Sequence, residues 1–149
     1  MTLKIKRALV TGGSGDIGQA ICLELANSGL HVIVHANHNS AKADNIVENI
    51  KSSGGSAESV SFDITNQNAA QEAIEKLLEQ GAIQVLVNNA GIHQDAILAG
   101  MKPEQWNKVI DVNLNGFFNV TQPLLLPMMQ TRWGRIINLS SIAGVMGNR

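Results

Sequence analysis

Tyrosine is missing altogether, aromatic residues make up only 3% of the chain, and a single cysteine stands among 149 residues. No phenol is on hand as an acid or base, and Cys22 has no partner for an internal disulfide. Cys22 lies among Ala20, Ile21, Leu23 and Leu25, the setting of a small buried hydrophobe, and a reducing cytoplasm fits it. Charge is balanced as well as sparse: 11 Lys and Arg against 12 Asp and Glu leave a net charge of −1. That excludes the basic footprint of a nucleic-acid or anionic-lipid binder. Long apolar runs are also lacking. After the cationic residues 1–7 only Ala8-Leu9-Val10 follows, too short for a signal peptide, and the apolar cluster at 123–129 contains two prolines and falls short of a membrane span. The expectation is a soluble, cytoplasmic chain with a small-molecule or protein partner, no nucleic acid and no membrane. A hydrophobic content of 44% suffices for one sizeable core.

What is present is an alternating rhythm. Residues 5–11 read as a strand, and Ile17, Ile21 and Leu25 then recur at helical spacing until Asn27-Ser28-Gly29 ends the run. Residues 30–36 form a second apolar strand. Ser40 then caps a helix carrying Ala43, Ile46, Val47 and Ile50, which Ser52-Ser53-Gly54-Gly55 breaks. A third strand falls at 57–63, a third helix at 66–80 with Ala70, Ile74, Leu77 and Leu78 inward, and a fourth strand at 83–88. Pro103 suits the first turn of a fourth helix through Trp106, Val109, Ile110, Leu114 and Phe117, and 135–140 is a fifth strand. Pro123 and Pro127 fall late in that helix, and each removes a backbone donor, so a kink or an end is expected there. Strands apolar on both faces, alternating with helices, predict an α/β fold: a Rossmann-like, doubly wound parallel sheet in the order 3-2-1-4-5. No linker or charge block marks a second domain.

Thr11-Gly12-Gly13-Ser14-Gly15-Asp16-Ile17-Gly18 lies between the first strand and the first helix, where a dinucleotide pyrophosphate meets a helix N-terminus. Glycine is needed there because side chains would hold phosphates away from the backbone N–H groups. Gly13-x-Gly15-x-x-Gly18 also fits the general dinucleotide pattern; a plain tight turn is the alternative, and placement after a strand favours the phosphate reading. Gly12, Ser14, Gly15, Asp16, Ile17 and Gly18 are the candidate contacts.

The second strand ends in His35-Ala36-Asn37-His38-Asn39-Ser40. Ala36 holds the approximate position of the acid that would bond the ribose hydroxyls of NAD and repel a 2′-phosphate. Asn37 and His38, with His35 beside them, offer neutral or weakly basic groups on the ribose side, so NADP(H) is the expected cofactor. The usual arginine is absent, so the preference is expected to be modest. Reading His35 and His38 as metal ligands lacks a further ligand at a useful spacing, and no metal site is expected.

With these residues the chain resembles the short-chain dehydrogenase/reductase family, whose loop reads Thr-Gly-x-x-x-Gly-x-Gly. Thr11, Gly12 and Gly18 match, and Asp16 replaces the middle glycine. An acid there either caps the helix by accepting a backbone N–H or repels the phosphates; capping is the expectation. The resemblance implies that Asp63 and the backbone N–H of Ile64 hold the adenine ring, while residue type alone leaves an ordinary helix-capping Asp equally open. In Asn88-Asn89-Ala90-Gly91 it implies that Asn89, Ala90 and Gly91 approach the cofactor and that the asparagines tie strands together; an Asn-Gly-type turn is the alternative. Asn113 matches the helix asparagine that holds a water in the proton relay, and a mid-helix Asn is otherwise unfavourable. Ser141, in Asn138-Leu139-Ser140-Ser141, matches the serine that hydrogen-bonds the substrate carbonyl, with turn chemistry as the alternative. Asn113 and Ser141 are therefore the catalytic candidates.

The wording of Gly91-Ile92-His93-Gln94-Asp95, Met101-Lys102-Pro103, Trp106 and Gly144-Val145-Met146-Gly147-Asn148 further resembles bacterial 3-oxoacyl-[acyl-carrier-protein] reductases. This implies NADPH-dependent reduction of a 3-oxoacyl group to the 3-hydroxyacyl form in fatty acid synthesis, on a carrier-linked or CoA-linked substrate, by a homotetramer. Such enzymes deliver the proton from a Tyr whose pKa a nearby Lys lowers. The chain holds no tyrosine, and residues 142–149 include no lysine. Residues 1–149 are thus expected to be an NADP(H)-binding domain incomplete at its C-terminus, without useful turnover alone, its fifth strand left as a sheet edge. A reductase of acetoacetyl-CoA or another small ketone, and a non-catalytic nucleotide-binding module, are the competing readings. Arg132 and Arg135, beside the fifth strand, offer an attraction for an acidic carrier protein, although two surface arginines are more often merely solvated.

Overall fold

The computed structural model describes residues 5–146. Gly147 and Asn148 of the motif above lie outside the described residues. Five strands, β1 (Arg7–Val10), β2 (His31–Ala36), β3 (Ser56–Ser61), β4 (Val85–Asn88) and β5 (Arg135–Asn138), form one parallel sheet in the order β3-β2-β1-β4-β5. Strand ends differ from expectation by a few residues because apolar residues run past the paired segments, as Ile83 does on entering β4.

Side-chain alternation along the strands builds two cores. Ala8, Val10, Val32, Val34, Val85 and Val87 face one way, against Cys22 and Ala26 of α1 (Asp16–Asn27) and Ala43, Ile46, Val47 and Ile50 of α2 (Ser40–Ser52). Leu9, Ile33 and Leu86 face the other way, against Ala70, Ile74 and Leu77 of α3 (Gln67–Glu79) and Val120, Leu124 and Met128 of the last long helix. Strands buried on both faces are what a helix-covered parallel sheet requires. Burial pushes the Cys22 thiol up to about 12, so it is an inert hydrophobe.

The fourth helical stretch departs most from expectation. α4 (Pro103–Ile110) runs without a break through a π-helical turn (Asp111–Asn115) into α5 (Gly116–Gln130). Within the π turn the side-chain Nδ2 of Asn113 donates to the carbonyl of Val109 at 2.9 Å, occupying an acceptor that the backbone would otherwise use. Pro123 and Pro127 do not end the helix, which continues to Gln130. Val120, Leu124 and Met128 are all buried on one face, and their packing holds the helix across the missing donors. The helix ends instead at Thr131, whose N–H reaches the carbonyls of Pro127 and Met128, followed by Arg132 with a φ of 53°.

Two caps also differ from expectation. Asn39, not Ser40, caps α2, accepting the N–H of Lys42 at 3.4 Å, and Asn66 caps α3, accepting the N–H of Ala69 at 3.1 Å. At the sheet edge where β1 begins, the buried Arg7 guanidinium donates to the carbonyls of Leu77 and Gly81, both at 2.6 Å, and pairs with Glu58 at 2.8 Å. It thereby locks the end of α3 to the sheet. Burial raises the Glu58 carboxyl, but hydrogen bonds from Arg7 and His31 outweigh that and hold it below its usual range.

Candidate functional site

In a parallel sheet every strand points its C-terminal end to the same edge, and the crevice opens where strand order reverses, here between β1 and β4. Two hollows share that crevice. A cleft of about 660 Å³ is lined by Gly12, Ser14, Gly15, Asp16, Ile17, Gly18, Asn37, Asp63, Ile64, Asn89, Ala90 and Gly91. A cavity of about 770 Å³ beside it is lined by Asn113, Asn138, Ser140 and Ser141, and the two have Ile17, Ile64 and the stretch Asn89-Ala90-Gly91-Ile92 in common. The phosphate-loop and adenine-side candidates thus meet in one hollow, and both catalytic candidates in its neighbour. His38 lines neither and is exposed in the turn before α2.

Local sterics explain the turn after β1. Gly12 has a φ of +62°, and a Cβ on it would sit 2.9 Å from the Ala90 Cα. At Gly18 a Cβ would collide with the Gly12 carbonyl and meet the Gly13 Cα at 2.8 Å, so α1 packs tightly beneath the turn. The turn is braced from β4: Thr11 Oγ1 accepts the N–H groups of Asn89 and Ala90 at 3.0 and 3.1 Å, and Asn89 Nδ2 donates to the carbonyls of Thr11 and Gly12, both at 3.0 Å. Gly15 N–H closes the turn onto Gly12. Among the described residues, the N–H groups of Ser14, Asp16, Ile17 and Gly18 meet no protein acceptor, and together they form a ready anion cradle at the start of α1.

Asp16 does not cap α1. Gly15 is the N-cap, without a side-chain hydrogen bond, and the exposed Asp16 is the first helical residue, at the border of the cleft. A residue one position inside the helix points away from the amides that a cap reaches. Asp63 does not cap α3 either: its Oδ1 accepts the N–H and the hydroxyl of Thr65 at 2.9 and 2.8 Å, which fixes the carboxylate at the rim of the cleft. His35 also lines the cleft beside Asn37, tucked beneath the turn: it is 1% exposed with both ring nitrogens engaged by backbone. That also removes it as a metal ligand.

The asparagines tie strands together as expected. Asn88 donates to Asn138 at 2.9 Å and to Thr121 at 3.1 Å, joining β4 to β5 and α5. Asn113 donates to the carbonyl of Ile92 at 2.8 Å and accepts its N–H at 3.3 Å, so its amide holds the loop after β4 from the π turn. Ser141 Oγ accepts the N–H of Ala143 at 3.2 Å, which leaves its own hydroxyl hydrogen free to donate into the cavity. Arg132 and Arg135 lie at the start of β5, the far end of that strand from Ser141, and the Arg135 guanidinium stacks 4.9 Å from the Trp133 ring. The geometry gives them no place beside the site. Lys108 and Val112, one turn apart on the fourth helical stretch, line the cleft, and His93 lines the cavity; neither spacing nor composition singled these out.

A doubly wound sheet with a glycine turn and helix N-terminus at its switch point defines a Rossmann-like fold of the dinucleotide-binding type. The chain belongs to the short-chain dehydrogenase family, whose model matches residues 6–149. It is 43% identical over 144 residues to the 3-oxoacyl-[acyl-carrier-protein] reductase FabG of Staphylococcus epidermidis, covering 96% of this chain and 59% of that protein. It is 44% identical over 142 residues to the 3-oxoacyl-[acyl-carrier-protein] reductase of Synechocystis, covering 95% and 58%. The crystal structure of a gluconate 5-dehydrogenase from Burkholderia cenocepacia, in complex with NADP and tartrate, superposes with a TM-score of 0.91 at 33% identity, covering 98% of this chain and 57% of that one. The chain thus spans less than two thirds of the length of these relatives. No helix among the described residues is long and apolar enough to cross a membrane.

Proposed function

We propose that residues 1–149 form the NADP(H)-binding domain of a short-chain oxidoreductase, and that the complete protein reduces 3-oxoacyl-[acyl-carrier-protein] to the 3-hydroxyacyl form. The observation that carries this reading is the shared wall Asn89-Ala90-Gly91-Ile92, which sets the phosphate-loop cleft directly beside the Ser141 cavity. A dinucleotide fits the residues present. Bare amides at Ser14, Asp16, Ile17 and Gly18 suit a pyrophosphate, and Gly12 and Gly18 let the turn close against Ala90 and Gly13 in the shape that presents them. Asp63 and Ile64 suit the adenine end. Ala36 and Asn37 place no carboxylate against a 2′-phosphate, which supports NADPH over NADH, as does the NADP held by the Burkholderia relative.

When bound, the nicotinamide supplies the hydride. Ser141 donates a hydrogen bond to the substrate oxygen, and Asn113 holds the loop that carries Gly91 and Ile92 at the junction of the two hollows. The chain contains no tyrosine, so we assign it binding without useful turnover, since losing an acid catalyst costs about 10²–10⁴-fold in rate. The names of the relatives favour a carrier-linked substrate over a small ketone or CoA ester.

Parallel fluorescence titrations with NADPH and NADH test the cofactor, and tighter NADH binding would overturn it. Assays of the complete protein with carrier-linked acetoacetate and with acetoacetyl-CoA separate the substrates; a higher kcat/KM on the CoA ester would reject the carrier-linked reading. Steady NADPH oxidation by residues 1–149 with acetoacetyl-CoA would reject the assignment of binding without turnover.

A further inference from the structure

His35, in β2, points to the same face of the sheet as Ile33 and is 1% exposed. Its Nδ1 accepts the N–H of Gly12 at 3.1 Å, and its Nε2 lies 2.9 Å from the carbonyl oxygen of Phe62. A carbonyl only accepts and an amide N–H only donates, so the ring carries its hydrogen on Nε2 and keeps a lone pair on Nδ1. No other form of the ring satisfies both partners, and a protonated imidazole would set a second N–H against that of Gly12. Desolvation pushes the His35 pKa down to about 4, against the smaller opposing pull of the Phe62 carbonyl and the Asp63 charge, so the neutral ring prevails near neutrality. The Phe62 ring packs against it, centroids 4.4 Å apart and tilted by 58°.

His35 lines the cleft itself and joins two of its parts. Gly12 opens the turn whose amides form the anion cradle, and Phe62 immediately precedes Asp63 and Ile64 at the adenine side. Asn89 braces the turn from β4, and His35 is the matching brace from β2. We propose that His35 is a positioning residue for the dinucleotide: its neutral ring fixes the start of the phosphate loop against the end of β3, so that both parts grip one molecule. This rests on the dinucleotide reading above.

Three variants of the chain separate positioning from packing. His35→Asn offers an oxygen near the place of Nδ1, His35→Gln offers an N–H near the place of Nε2, and His35→Leu fills the space with neither. Binding of NADPH is followed by fluorescence, with circular dichroism melts confirming that each variant is folded. The expected result is roughly tenfold weaker binding by His35→Leu, the loss that follows from leaving buried backbone groups unpaired, with His35→Asn closest to the parent chain. In ¹⁵N spectra the His35 ring should show a protonated Nε2 and a bare Nδ1, both shifting when NADPH binds. If His35→Leu binds as tightly as the parent, or at least as tightly as His35→Asn, the residue only packs and the proposal is overturned while the dinucleotide reading stands. Should His35→Leu fail to melt cooperatively, His35→Asn against His35→Gln decides, and equal or tighter binding by His35→Gln overturns it. A parent chain that binds neither NADPH nor NADH overturns both readings.

Discussion

Asn89 Nδ2 donates to the carbonyl of Gly12 at 3.0 Å, and the same nitrogen reaches the Thr11 carbonyl at an equal distance. This pair ties the end of β4 to the turn after β1 across the point where the sheet reverses order. Asn89→Ala removes both bonds and leaves two carbonyls with one donor fewer, so it should lower stability by about 1–3 kcal/mol and weaken NADPH binding. Urea melts and a fluorescence titration check the two effects separately; unchanged affinity would mean that the brace serves the fold alone.

Asp16 sets helix stability against anion affinity. As the first residue of α1 its carboxylate favours the helix N-terminus, yet it lies next to the amides where phosphates would lie. Asp16→Gly should therefore cost up to about 1 kcal/mol in stability and tighten NADPH binding several-fold, more so at low salt. Affinity that stays level or falls would show that the carboxylate does not oppose the phosphates.

His35 gives the protein an acid-side stability slope. Its pKa falls from 6.5 in the open chain to about 4 in the fold, chiefly by desolvation. The unfolded chain therefore binds more protons between those values, and stability is lost as pH drops from about 6.5 toward 4, by about 3 kcal/mol in all. Glu58, held below its usual range, has the same sign and acts at the lower end of the window. Comparing urea midpoints of the parent and His35→Asn at pH 7 and pH 4.5 cancels the Glu58 contribution. The variant should lose less stability than the parent, and equal losses would dismiss His35 as the source.

Arg7 supplies a control far from the cleft. Its guanidinium holds the Leu77 and Gly81 carbonyls and pairs with Glu58 at the edge where the strands begin. Arg7→Met should destabilise the chain by about 3 kcal/mol, since it strands buried acceptors, yet leave the NADPH affinity of the folded protein unchanged. A parallel fall in affinity would mean that the two ends of the sheet are coupled.

The strands and both cores were legible because they rest on repeating patterns: apolar runs for the strands, and residues such as Ala70, Ile74 and Leu77 on one helical face; the strand order followed from the doubly wound class. The glycine turn and the asparagine motif after β4 were legible because sterics at Gly12 and Gly18 tolerate almost nothing else. The misreadings share one cause, the direction of a side chain. A histidine at a strand end looks solvent-facing in sequence, but alternation turns His35 inward beneath the loop. An acid at a helix start reads as a cap, yet Asp16 lies one residue too far along. Pro123 and Pro127 read as helix breakers because packing by Leu124 and Met128 is a tertiary effect that local rules omit. Lys108 reaches the cleft only because the fourth helical stretch crosses it.

Backbone amide spectra of the ¹⁵N-labelled chain during an NADPH titration test the central claim most directly. Ser14 to Gly18, Asp63, Ile64 and Asn89 to Gly91 should shift together along one saturation curve, while Arg7, His31 and Glu58 at the opposite edge stay still. A saturating dose that leaves the first group unmoved in a folded sample, or moves only the second, would contradict it.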